Sequence, residues 1–88
     1  MKEKKLEKVL KALANRRRLA IILLLRKRNE VNVGEIAETI HLSIKSTSRH
    51  LAILFGADIL EREQRSSEVF YRLNNFIPDV FSALIKSL

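Results

Sequence analysis

Eighty-eight residues, 47% hydrophobic and 31% charged with two Gly and one Pro, describe one small globular domain rather than a disordered or fibrous chain. The absence of Cys excludes disulfides and thiolate metal sites, and the longest apolar run, residues 19–25, is far short of the roughly 20 a membrane span needs. Seventeen Lys/Arg against ten Asp/Glu give a formal charge of +7, unevenly placed: residues 1–28 hold eleven bases against Glu3 and Glu7, while 29–88 hold six bases against eight acids.

Residues 2–14 place Leu6, Val9, Leu10 and Leu13 at i, i+3, i+4 and i+7, one apolar stripe on an amphipathic helix. Asn15 ends it and is expected to cap a second helix opening on Arg16, Arg17 and Arg18. Three cations at a helix N-terminus oppose the macrodipole, so something must favour them there, and a phosphate backbone is one candidate. Residues 19–25 are apolar on every face, which predicts a helix buried all round as the pillar of the core. Arg26, Lys27 and Arg28 close it with the charge a C-terminus prefers.

Val31-Asn32-Val33 alternates as a short strand, and residues 34–40 read as a short helix with Ile36, Ala37 and Ile40 inward. After the turn His41-Leu42-Ser43, Ser43 is positioned to cap a helix over 44–57. Ile44, Thr47, Leu51, Leu54 and Phe55 fall on one side of that helix; Lys45, Ser46, Ser48 and Arg49 fall mostly on the other. Two helices about a tight turn make residues 34–57 a helix-turn-helix pattern. The period then becomes two, with strands over 59–65 and 68–73 joined by Ser66-Ser67, a hairpin lacking the usual Gly or Asn at its tip. Phe76, Ile77, Val80, Phe81, Leu84, Ile85 and Leu88 recur at helical spacing over 76–88, with Pro78 tolerated in the first turn.

The predicted fold is mainly α with a minor β part. Helix, helix, strand, helix, helix, strand, strand, helix is the winged helix-turn-helix order, in one domain over 1–88. Three stretches resemble the ArsR family of small repressors. Leu13-Ala14-Asn15-Arg16-Arg17-Arg18-Leu19-Ala20-Ile21-Ile22 is similar to the family's LADPTRLRIL, and Leu42-Ser43-Ile44-Lys45-Ser46-Thr47-Ser48-Arg49-His50-Leu51 to its LSQPTVSRHL recognition helix. Val69-Phe70-Tyr71-Arg72-Leu73 is similar to its VYYRL wing strand. The departures are specific: where metal-sensing members carry ELCVCDLA, Asn32 and Gly34 replace both thiolates. Residues 76–88 offer no His and only Asp79 for a metal site of the other family type. Asp58 stands where a Gly commonly ends the recognition helix.

The resemblance implies a homodimeric repressor on double-stranded DNA, with residues 1–14 and 76–88 as dimerisation helices and 59–73 as the wing. Leu6, Val9, Leu10, Leu13, Ile77, Val80, Phe81, Leu84, Ile85 and Leu88 are then the expected dimer contacts. Independently, a chain this short buries only about 60% of its unfolded surface, so a second copy would add needed stability. Lys45, Ser46, Ser48 and Arg49 are the expected groove contacts, with Arg49 suited to a guanine. Ile44 has two readings, packed inward or set against a thymine methyl. Arg65 is the expected wing contact and Arg16 and Arg17 the flanking phosphate contacts, while Arg18 by analogy is structural. Glu61, Glu63 and Glu68 give the hairpin arginines a competing reading as salt-bridge partners.

His41 and His50 have no third ligand, so no metal or cofactor is expected, and no nucleophile elbow or triad suggests an enzyme. A charged, periodic N-terminus in place of a signal peptide, with no Cys and no span, points to the cytoplasm and away from membranes. The rival reading is a winged helix that binds an acidic protein partner through its basic N-terminal helices.

Overall fold

The computed structural model describes residues 3–75 and Lys86. The predicted last helix, with the expected contacts Ile77, Val80, Phe81, Leu84, Ile85 and Leu88, lies outside the described residues. Helices α1 (Glu3–Leu13) and α2 (Arg16–Arg28) are followed by strand β1 (Glu30–Asn32), helices α3 (Val33–Thr39) and α4 (Ile44–Gly56), and the hairpin β2 (Leu60–Arg65) and β3 (Glu68–Leu73).

Capping sets the helix boundaries. Asn15 Oδ1 accepts the Arg18 amide at 3.0 Å, and Ser43 Oγ accepts the Ser46 amide at 3.1 Å, so α2 and α4 begin where the sequence places them. The third boundary differs by one residue. Val33 is the first residue of α3 rather than the end of a strand, because Asn32 Oδ1 accepts the Glu35 amide at 2.8 Å and starts the helix there. Asn32 thus serves both as the last residue of β1 and as a cap.

The sheet is antiparallel in the order β1-β3-β2, with Val31 opposite Tyr71 and Arg62 opposite Tyr71 on the other side. Alternation gives it two unlike faces. Val31, Leu60 and Tyr71 are buried against the helices, whereas Glu30, Glu61, Glu63, Arg65, Glu68 and Arg72 share the opposite face.

Ile21, Ile22 and Leu25 of α2 form the centre of the core with Ile36, Leu51, Leu54 and Ile59, all essentially solvent-free. The expectation that α2 is buried all round is corrected at Leu23, which is exposed. It lines a shallow groove with Arg16, Arg17, Ala20, Leu24, Lys27, Thr39 and Ile40, between α2 and the C-terminal end of α3. On α1 the predicted stripe divides. Val9 and Leu13 pack into the chain's own core, so they are withdrawn as dimer contacts, while Leu6 and Leu10 stay exposed at 37% and 47%.

Candidate nucleic-acid interface

Two of the three arginines opening α2 find their reason for being there inside the protein. Arg17 Nη1 donates to Ile40 O at 2.8 Å, at the end of α3, and Arg18 Nε donates to Ala12 O at 2.6 Å, at the end of α1. Each cation sits on the carbonyls of a neighbouring helix C-terminus, which is negative and short of donors. The phosphate considered from sequence is therefore not needed to account for Arg17 or Arg18. Arg16 remains exposed.

Arg18 also fixes α4. Its Nη1 lies 3.1 Å from His50 Nδ1, and since a guanidinium only donates, Nδ1 accepts and the ring proton sits on Nε2. Burial, then the charges of Arg18 and Arg17, hold the imidazole below its usual pKa and keep it neutral. Arg17 and Arg18 so brace the turn and the middle of α4 from behind.

With α4 held this way, Thr47, Leu51 and Leu54 point inward and Ile44, Lys45, Ser48, Arg49, Ala52 and Ile53 are exposed. Ser46 is half-buried. Ile44 is 61% exposed, so the inward reading is discarded. The helix carries no acidic residue, and among the described residues Lys45 and Arg49 form no ion pair. Two free cations, the Ser48 hydroxyl and the small Ala52, with Ile44 and Ile53 at the edges, make this face fit to enter a groove lined by acceptors and bordered by phosphates.

The wing is different. Arg65 grips Glu30 with both Nη atoms, at 2.8 and 2.9 Å, and reaches Glu63 at 3.1 Å. Arg72 contacts Glu30 at 3.2 Å and Glu61 at 3.0 Å. The hydrogen bond and charge of Arg65 hold Glu63 below its usual pKa, and Glu63 and Glu30 in turn make the Arg65 proton harder to lose. The guanidinium also lies 4.7 Å from the Phe70 ring centroid. Arg65 and Arg72 therefore follow the salt-bridged reading, on a sheet face where four carboxylates outnumber two arginines. Arg62 lies 3.9 Å over the Phe55 ring, joining the wing to α4. Sequence reasoning missed Glu30 as a common acceptor, because its partners lie 35 and 42 residues away.

Asn32, where metal-sensing members have a thiolate, is used as a cap and donates Nδ2 to Glu68 at 2.9 Å. Among the described residues no group of three His, Cys, Asp or Glu is arranged to hold a metal ion. No helix among them is long and apolar enough to cross a membrane.

Residues 15–62, more than half of the chain, match the profile of the arsR family of bacterial regulatory proteins. The transcriptional activator HlyU of Vibrio cholerae is 39% identical over 67 residues, covering 76% of this chain and 61% of its own length. Its reduced form superposes with a TM-score of 0.83 at 35% identity, covering 97% of this chain and 85% of that one. The transcriptional repressor PagR of Bacillus anthracis is 33% identical over 67 residues, 76% of this chain and 67% of its own. The homodimeric winged helix-turn-helix DNA-binding domain Mb0332 of Mycobacterium bovis gives a TM-score of 0.82 at 27% identity, over 96% of this chain and 74% of that one. The chain spans about three-fifths of HlyU and two-thirds of PagR in length. A capped helix-turn-helix, a three-stranded winged sheet and these matches lead to one family: the chain belongs to the arsR family of bacterial regulatory proteins.

Proposed function

We propose that this regulator binds DNA as a homodimer, reads an inverted-repeat operator through α4, and acts most simply as a repressor by occupying promoter DNA. The acid-free, unpaired outer face of α4 carries this reading. Arg49, in the second turn of the helix, is assigned a bidentate contact to a guanine edge, and Ser48 a neighbouring base. Lys45 and Ser46 are assigned phosphates, which set register without reading sequence. Arg16, exposed at the start of α2, is assigned a flanking phosphate, and Arg17 is first of all a brace for the turn. Arg65 is assigned to stiffening the wing, since a phosphate contact would require it to leave Glu30.

Two supports favour the dimer. Leu6 and Leu10 are apolar, exposed and on one side of α1, and the similar Mycobacterium bovis domain is homodimeric. A two-fold pair would set two α4 helices about 34 Å apart, one turn of DNA.

The test is Arg49→Ala against a duplex selected from a random pool and against a scrambled duplex. Specific affinity should fall roughly 5- to 150-fold, with preference relaxed at one position per half-site, while salt-sensitive binding to the scrambled duplex stays nearly unchanged. Unchanged specific binding would remove α4 as the reading element, whereas failure to select any duplex would leave the acidic-partner reading to be pursued.

A further inference from the structure

Ile44 is the first residue of α4, directly after its Ser43 cap, and at 61% it is the most exposed large hydrophobic side chain among the described residues. Packing within the fold covers only a minor part of it. A β-branched residue is a weaker helix former than Ala or the straight-chain residues. It lines one side of a small cleft with Asn32, Val33, Gly34, Ser67, Glu68 and Val69, yet most of its apolar surface remains in water. Its surroundings are polar, with Lys45, Ser48 and Arg49 exposed along the same helix.

The helical spacing supplies a use. Ile44, Ser48 and Ala52 lie at i, i+4 and i+8, one row along the helix, all exposed and without charge. Beside it runs the row Lys45 and Arg49. Ser48 and Ala52 are small, so the helix can lie close to a floor of base edges, with Ile44 reaching deepest at the leading end. In the major groove the only apolar group on a base edge is the C5-methyl of thymine. A side chain with no donor or acceptor would leave any other base's polar edge unpaired, whereas a methyl against Ile44 removes apolar surface from water on both sides.

We propose that Ile44 is a specificity-determining residue that selects thymine at one position in each half-site by packing on its methyl group. This rests on the proposed DNA reading of α4 and adds a base identity to it. The two rows then have different roles, the charged one anchoring the helix and contacting guanine, the uncharged one requiring thymine.

The experiment replaces each thymine of the selected duplex singly by deoxyuridine, which keeps every hydrogen-bonding group and removes only the methyl. The wild-type protein should lose about fourfold in affinity at one thymine per half-site, the worth of one buried methyl-sized group, and nothing at the others. Ile44→Ala should bind the thymine duplex more weakly by a similar factor and be indifferent to deoxyuridine at that position, so the two losses do not add. Its melting temperature should be equal to wild type or higher, since an exposed Ile gives way to a better helix former; a clear drop would show that Ile44 packs within the fold and would overturn the assignment. A wild-type protein indifferent to every replacement, or an Ile44→Ala variant that still loses affinity at the same thymine, would also overturn it while leaving α4 as the DNA reader. Failure to select any duplex would overturn both.

Discussion

At the scale of single residues, two side chains behind the exposed face of α4 make measurable predictions. His50 accepts from Arg18, and burial with two nearby guanidinium groups lowers its pKa in the folded protein below the ordinary 6.5. The unfolded chain then takes up the proton more readily than the folded one, so this contribution is full above pH 6.5 and is lost as pH falls below it. The urea midpoint should decline as pH falls below 6.5 in the wild type and stay flatter in His50→Gln. His41 is present in both proteins, so the difference isolates His50. Equal slopes would mean that Arg18 does not hold the ring as described. Thr47 has its Oγ1 buried with no hydrogen-bond partner. The family's LSQPTVSRHL pattern has Val at this position, and Thr47→Val removes the orphaned hydroxyl while keeping the shape. Stability should rise by about 1 kcal/mol in chemical denaturation, and a fall would reveal a partner for the hydroxyl.

Elements were legible where the controlling groups are local. Asn15 and Ser43 cap the helices that follow them, and the alternation over 60–73 became a hairpin, because each depends on neighbours close in the chain. The missing glycines flagged two real backbone features: Asp58 and Ser66 take positive φ, 61° and 59°, where Gly would be unstrained. Ser66→Gly should therefore stabilise the hairpin by about 0.5 kcal/mol, the relief of the left-handed conformation less the added freedom of the unfolded chain. A melting temperature below wild type would show that the serine side chain contributes to the turn. What was not legible depended on distant partners or on boundaries a single side chain decides. Val33 looked like strand until Asn32 capped a helix beneath it. Leu23 read as core because periodicity does not reveal that α3 leaves a groove beside α2. Arg65 had both a wing-contact and a salt-bridge reading, and its pairing with Glu63 lies within reach of sequence, whereas nothing near it in the chain announces Glu30.

For the whole molecule, the decisive matter is what a second copy does. In the proposed dimer each protomer would present one α4 face, and a single face would give few base contacts; two related by a two-fold axis would multiply affinity through effective concentration and impose a spacing. Leu10→Glu should convert the protein to a monomer in sedimentation and reduce operator affinity by at least about 100-fold. A dimer that persists in that variant would place the interface away from α1. The charge asymmetry fits the same proposal: the basic first 28 residues would draw the molecule to DNA generally, and the small face of α4 would select within it. The most direct measurement is selection of binding sites from a random duplex pool at near-physiological salt, using the untagged protein. The expected product is an inverted repeat with half-site centres about one helical turn apart, each holding a guanine and a thymine at fixed positions. Enrichment of no sequence, with only salt-sensitive background binding, would contradict it.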